Sequence, residues 1–311
     1  MTFLGHALLA NAELRAIVVG RAVEGQADEN RVTLRDLTEG EARRVAFFDD
    51  VMGAVSAGQV PDLVLAATVR DVMALLGRAS APDVAARFGS MLVRGASRVR
   101  AASAGPTALR HVARPGDVQI AAERLPYAHF FAIEEYDVSW RQFDGQMSRT
   151  VTRAAFLSGD AVTVLPYDIA RDRVLVVEQF RAGPLARGDG QCWQIEAIAG
   201  RVDPGEGPEQ AARREAVEEA GLHLTDLLEV ARYYPSPGAV SEYLYSYVAL
   251  TDLPDGCAGV FGVEGEAEDI RGHLISFDDL MALVASGEIE NSPMILTALW
   301  LQRERGRLRA G

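Results

Sequence analysis

Apolar positions recur with two different periods along the chain, and the period changes once. In VPDLVLAATVRDVMALLG, the side chains Leu63, Leu65, Val69, Val72, Leu75 and Leu76 follow helical spacing, and APDVAARFGSMLVRGASRVRAA continues as a second helix. The arginines of that second helix, Arg87, Arg94, Arg98 and Arg100, read as a solvated face rather than a binding patch. Gly105, Pro106, Pro115 and Gly116 then break the pattern and mark a boundary. Beyond it, runs of strand length take over: HFFAIEEYDVSW, SRTVTRAAFL, and the largely apolar VTVLPYD and RVLVVEQF, which IARD joins as a buried hairpin. WQIEAIAG reads as one further strand and LLEVARYYP and EYLYSYVAL as two more. FDDLMALVAS and PMILTALWLQRERGRL are terminal helices, and Pro293 near the first turn of the last, with basic residues at its end, suits the helix dipole.

With 311 residues, 49% of them hydrophobic, the chain can bury more than one domain needs. The expected division is an N-terminal extension over 1–118, with a first part to 55 and a helical or linker part over 56–118, followed by a main domain over 119–311. Charge narrows the partners: 31 Lys and Arg against 44 Asp and Glu give a net charge of -13, so phosphate neutralisation of a nucleic acid is not expected. Two cysteines, Cys192 and Cys257, cannot form a disulfide framework and suit a reducing compartment. The first basic residue is Arg15, which leaves no charged region for a signal peptide, and no apolar run approaches the roughly 18 residues of a membrane span. A cytoplasmic protein with no membrane contact is the expectation.

The chemistry concentrates in residues 200–222, GRVDPGEGPEQAARREAVEEAGL. Gly200 and Glu206 read as a turn-rich loop, and from about Pro208 to Gly221, a C-cap, the residues favour helix. On that helix Glu215, Glu218 and Glu219 share a face, and like charges at this spacing cost an isolated helix about 0.2–0.5 kcal/mol per pair. Counterions, Arg213 and Arg214, or a bound metal must offset the repulsion. Carboxylate oxygens suit a hard cation such as Mg²⁺, which commonly takes one or two of them and completes its shell with water and substrate phosphate.

The spacing of Gly200, Glu206, Arg214, Glu215, Glu218, Glu219 and Gly221, with apolar Ala216 and Leu222, matches the signature G-x5-E-x7-R-E-U-x-E-E-x-G-U, where U is apolar. The segment resembles that of the Nudix hydrolases, metal-dependent enzymes that cleave nucleoside diphosphates linked to another group. The resemblance implies an α/β/α sandwich with a mixed sheet. It makes Glu215 and Glu219 the principal metal ligands, with Glu218 assisting, Arg214 orienting an acidic partner, and the Ala199 carbonyl a further ligand. Mg²⁺ is the implied cofactor, with Mn²⁺ as a substitute.

The flanks resemble the ADP-ribose pyrophosphatases: VLPYDIARDRVLVVEQFRAG before the signature, Pro237 in YYPSPG after it, and EGEAEDIRGHLISFDDLMALVASGEIENSPMILTALWLQ at the end. By this resemblance Glu266 serves as base and Glu268 as a metal ligand, with Glu264 a further candidate base. Arg181 and Glu196 contact substrate, and Arg153 comes from the partner of a homodimer. Phe130, Phe131 and Tyr136 are candidates for stacking on adenine, with core packing as the plainer reading of each. The implied reaction is hydrolysis of ADP-ribose to AMP and ribose 5-phosphate. Rival readings are the same chemistry on a nucleotide sugar or NADH, and a sensor that binds ADP-ribose without cleaving it.

Over nearly its whole length, with LPYAHFFAIEEYD, ARGDGQCWQIEAIAGRVDPGE and SGEIENSPMILTALWLQRERGRLR as the matching segments, the chain also resembles a tellurite-resistance-associated bacterial subgroup that carries such an extension. The first residues, with Phe3-Leu4-Gly5-His6-Ala7-Leu8 as a strand and Phe47-Phe48-Asp49 beyond it, faintly resemble a degenerate γ-glutamylcyclotransferase-like element, with a structural or dimerisation role preferred to a catalytic one.

Overall fold

The computed structural model describes residue 9 and residues 11–28, 31–55, 60–102, 105–262 and 269–310. The proposed first strand at 3–8 lies outside the described residues. The chain divides into two compact units, residues up to 159 with 237–241, and residues 160–236 with 242–311.

In the first unit, helix α1 (Ala12–Val19) starts at Asn11, whose side chain accepts from the N–H groups of Glu13 and Leu14 at 2.8 and 3.2 Å. A two-stranded hairpin follows, β1 (Gly25–Asp28) with β2 (Arg31–Leu34). Helix α2 (Glu39–Ala54) opens with a reciprocal cap: the Thr38 hydroxyl accepts from the Glu41 N–H, and the Glu41 carboxylate from the Thr38 N–H. Helices α3 (Asp62–Ala74), α4 (Ala81–Ala85) and α5 (Phe88–Ala101) complete the helical part.

An antiparallel sheet then runs β3 (Val118–Ala128), β4 (Ala132–Trp140), β5 (Val151–Leu157), in that order. Phe48, Val69, Val72 and Met91 from the helices share one core with Leu125, Ala128, Ala132 and Leu157 from the sheet. This fixes a helical layer on one sheet face, at roughly 25 cal/mol per Å² of apolar surface removed from water.

The arginine row is where the structure departs from the pattern reading. Arg94 is 2% exposed, and its Nε donates to Asp71 of α3 at 2.9 Å. Arg98 donates to the other oxygen of Asp71 at 2.7 Å and to Glu134 of β4 at 2.5 Å. Arg94 and Arg98, the middle of the row, belong to a largely buried ion network and not to a solvated face. Their carboxylate partners lie 23 to 36 residues away, so local periodicity carried no sign of them.

The second unit holds an eight-stranded mixed sheet. Strands β6 (Asp160–Asp168) and β7 (Arg173–Phe180) form the expected hairpin, but pair only at Tyr167 with Val174 and Asp168 with Arg173 before they part. The run WQIEAIAG fills the opening as two strands instead of one. Its first half, β8 (Trp193–Glu196), pairs with β7, and its second half, β9 (Ile198–Arg201), pairs with β6, the change of partner falling at buried Ala197. Gly200 therefore sits in a strand opposite Val162, not in the turn-rich loop expected of it.

Between these strands lie the short helix α6 (Ala182–Arg187) and, after β9, helix α7 (Pro208–Ala220). Strand β10 (Asp226–Tyr233) pairs antiparallel with β11 (Tyr243–Leu250), and β11 lies parallel to β6. On the other side, β12 (Val260–Phe261) and β13 (Ile270–Ser276) extend the sheet from β7. Helices α8 (Phe277–Ser286) and α9 (Ser292–Arg309) close the chain.

Alternate residues of β6 and β7 face different helices. Val162, Val164, Leu175 and Val177 pack with Ala211, Ala212, Ala216 and Ala220 of α7, while Leu165, Tyr167, Val174 and Val176 pack with Leu280, Met294, Ala298 and Leu301 of α8 and α9. Burial of both faces explains why these strands read as continuous apolar runs. The result is the expected α/β/α sandwich.

Candidate active site

Helix α7 presents its small residues to the sheet, and this brings its acidic side chains against strand β9. Alanines at 211, 212, 216 and 220 are buried, so the helix backbone lies close to the strands. Pro208 occupies the first turn, where its missing N–H costs nothing, and Gly221 ends the helix at φ +63°, in the left-handed region that glycine adopts without strain.

Glu219 is 2% exposed, and its Oε2 accepts the N–H of Ala199 at 3.0 Å. Glu215 reaches the same strand at Gly200: an ideal Cβ on that glycine would lie 1.8 Å from Oε1 of Glu215. The signature glycine supplies space for a carboxylate here. Ala199, Glu215 and Glu219 are thus brought together.

Arg214 is the cation that offsets the acidic face. It donates to Glu206 at 2.7 Å, to Glu215 at 2.7 Å, to Glu218 at 2.9 Å and to the Arg201 carbonyl at 2.9 Å. Burial works against its charge, but the hydrogen bond to Glu206 and the charge of Glu215 outweigh that and raise its pKa above the usual arginine value. Arg213 points elsewhere, to the carbonyls of Leu224 and Thr225.

Asp203, read from sequence only as part of a turn, joins the cluster: its N–H donates to Glu206 at 2.8 Å and its carboxylate lies 3.9 Å from Arg214. Burial pushes its pKa up, Arg214 pulls it down, and Glu206 and Glu218 add to the rise. A D-P-G turn carries no sequence mark of this neighbourhood.

Arg181 and Glu196 meet directly, Nε to Oε2 at 2.8 Å, because β7 and β8 are adjacent. Burial raises the Glu196 pKa against the pull of Arg181. Phe180 and Trp193, both half exposed, stand edge to face beside this pair with ring centroids 5.8 Å apart.

Five other candidates belong to the first unit. Arg153 on β5 is exposed and lies 5.8 Å from the Trp140 ring. Phe131 packs on Phe156 at 4.7 Å, whereas Phe130 is 65% exposed, so core packing does not describe it. Tyr136 donates to Glu134, and burial with that bond raises its pKa. Pro237 is exposed in a segment whose Ala239 carbonyl accepts the Phe156 N–H at 2.8 Å. Glu264, Glu266 and Glu268 lie outside the described residues.

A mixed sheet between helix layers, with a glutamate-rich helix locked by one arginine against a glycine-bearing strand, defines the Nudix class of fold and site. A family model, the NUDIX domain, matches residues 157–297. The ADP-ribose pyrophosphatase of Escherichia coli (strain K12) is 37% identical over 186 residues, which is 60% of this chain and 88% of that protein. The GDP-mannose pyrophosphatase of Pectobacterium atrosepticum is 30% identical over 58% of this chain and 91% of its own. A crystal structure of an ADP compounds hydrolase covers 62% of this chain and 97% of its own at a TM-score of 0.47 and 21% identity. The chain belongs to the Nudix hydrolase family, within its ADP-ribose pyrophosphatase subfamily.

Proposed function

We propose that the protein hydrolyses the diphosphate of ADP-ribose to AMP and ribose 5-phosphate. The observation that carries this reading is the 37% identity extending over 88% of an ADP-ribose pyrophosphatase. The approach of Glu215 and Glu219 of α7 to Gly200 and Ala199 of β9 supports the chemistry.

The donors fit a hard divalent cation. Glu215, Glu219 and Glu268, with the Ala199 carbonyl, would hold Mg²⁺ or Mn²⁺ through oxygen alone. Among the described residues no three His, Cys, Asp or Glu side chains form a metal cage unaided. When bound, such an ion neutralises the diphosphate and lowers the pKa of an attacking water.

The chain's own groups do the rest. Arg214 holds Glu206, Glu215 and Glu218 in place. Glu266, with Glu264 as the alternative, takes the proton of water as its oxygen bonds to phosphorus and the bridging P–O bond breaks. Glu218 assists at the metal. Arg181 offers a planar fork to phosphate oxygens and Glu196 accepts ribose hydroxyls. In a homodimer, Arg153, Phe130 and Phe131 of one copy contact the nucleotide held by the other, with Pro237 beside them. A cytoplasmic setting and a link to tellurite resistance follow the wider resemblance.

A panel of ADP-ribose, GDP-mannose and NADH, with the nucleoside monophosphate product quantified in Mg²⁺, tests the reading. The highest kcat/KM is expected for ADP-ribose. A preference for GDP-mannose would favour a nucleotide-sugar hydrolase, the second reading that the 30% identical relative supports. Tight ADP-ribose binding without turnover would indicate a sensor.

A further inference from the structure

Between β3 and β4 the chain makes a turn, and carbonyls of the end of β3 and of the turn itself are held by arginines of the helical part of the same unit. Arg78, after α3, donates to the carbonyls of Leu125 and Pro126, the second at 3.0 Å. Arg87, before α5, donates to the Ala128 carbonyl at 3.2 Å, and Arg94 reaches the Phe130 carbonyl at 3.5 Å. One residue pair further on, Arg98 takes the Glu134 carboxylate at 2.5 Å. Within the turn, the His129 N–H donates to the Phe131 carbonyl at 2.8 Å.

These contacts do more than cover the sheet. Asp71 fixes Arg94 and Arg98 from behind, so the guanidinium groups are ordered before they meet the turn. Arg94 then ties the turn, and Arg98 strand β4, to α5 by a charged donor, the stronger kind of hydrogen bond. What the turn displays is Phe130, an apolar ring left 65% exposed and standing edge to face against Phe131 at 4.8 Å. Solvent would normally drive such a ring inward on a mobile turn. The contacts at Leu125, Pro126 and Ala128 hold the strand that leads into the turn, and the contact at Phe130 holds the turn itself, against that movement.

We infer that Arg78, Arg87 and Arg94 are positioning residues: the helical N-terminal segment serves to hold the Phe130–Phe131 turn rigid for ligand contact. The inference rests on the reading of Phe130 as a nucleotide contact. It gives the segment a part in substrate affinity without a site of its own.

The test uses the full chain with the double variant Arg78→Ala, Arg87→Ala. Both side chains lie at the rim of the helical part, away from the buried Asp71 network, so the variant keeps its core. Expected are a roughly tenfold faster amide exchange over residues 127–132 and a KM for ADP-ribose raised about tenfold, with kcat within about twofold and the melting temperature little changed. Restoring lysine at both positions should recover part of the KM. Unchanged exchange and unchanged KM would overturn the inference. If Phe130→Ala raises KM and the arginine variant does not, the inference alone fails. If neither variant moves KM, the reading of Phe130 fails and takes the inference with it.

Discussion

Oε1 of Glu215 lies 1.8 Å from the point where a side chain on Gly200 would begin. Strand and helix are therefore fitted through the absence of one carbon atom. Gly200→Ala should push the Glu215 carboxylate off the strand while the alanine-rich face of α7 stays packed. The expected result is a loss of about 10²-fold in kcat/KM, the scale of an ångström-sized displacement in an active site, with an unchanged circular dichroism spectrum. Near-normal turnover in that variant would remove Glu215 from the reaction.

Glu219→Gln keeps an oxygen to accept the Ala199 N–H but loses the charge. Turnover should fall by roughly 10²–10³-fold with the melting temperature little changed, since the hydrogen bond survives and the electrostatic contribution does not. Steady-state kinetics across a Mg²⁺ titration is the measurement, and full activity at any Mg²⁺ concentration would contradict the assignment.

Arg214→Ala leaves Glu206, Glu215 and Glu218 facing one another without their common cation. Removing one partner of a buried pair costs about 3–5 kcal/mol, and because Arg214 is partly exposed the expected loss is nearer to about 2 kcal/mol. Urea unfolding measures it. Mg²⁺ should then raise the melting temperature of the variant more than that of the parent, by binding the folded state where the arginine charge is gone.

Asp172 ties α9 to the β6–β7 turn through Arg305, with Tyr167 and Arg309 also bonded to it, and its carboxyl is held down at about 2 by the Arg305 bond first, with burial opposing. A carboxylate depressed when folded stabilises above its unfolded pKa of about 4 and loses that contribution as pH falls toward 2. Asp172→Asn tolerates the φ of +55° at this position but carries no charge. Its melting temperature should lie below the parent's at pH 6 and meet it near pH 2; a constant gap would exclude the linkage.

Legibility in the sequence followed distance along the chain. Glu215, Glu218 and Glu219 stand three and four residues apart on one helix, so their common face is a property of local geometry. The Asp71, Arg94, Arg98 and Glu134 network joins three elements, and nothing local distinguishes its arginines from solvated ones. WQIEAIAG reads as one strand because no turn residue interrupts it before Gly200, and the change of partner at Ala197 depends on β6 and β7 having parted. Gly200 looked like a turn residue for the same reason that Asp203 looked like one: glycine and aspartate favour turns, and the needs of a carboxylate from another element leave no local trace.

The exchange of partners at Ala197 also makes residues 193–201 a ruler of fixed length. Glu196 is placed by its register with Val177 on one strand, and Gly200 by its register with Val162 on another. Deleting or adding one residue between them would turn one half over to the opposite sheet face while the other half kept its own. Changes of length in this stretch of chain can be absorbed only outside it, in the turns at 188–192 and 203–206.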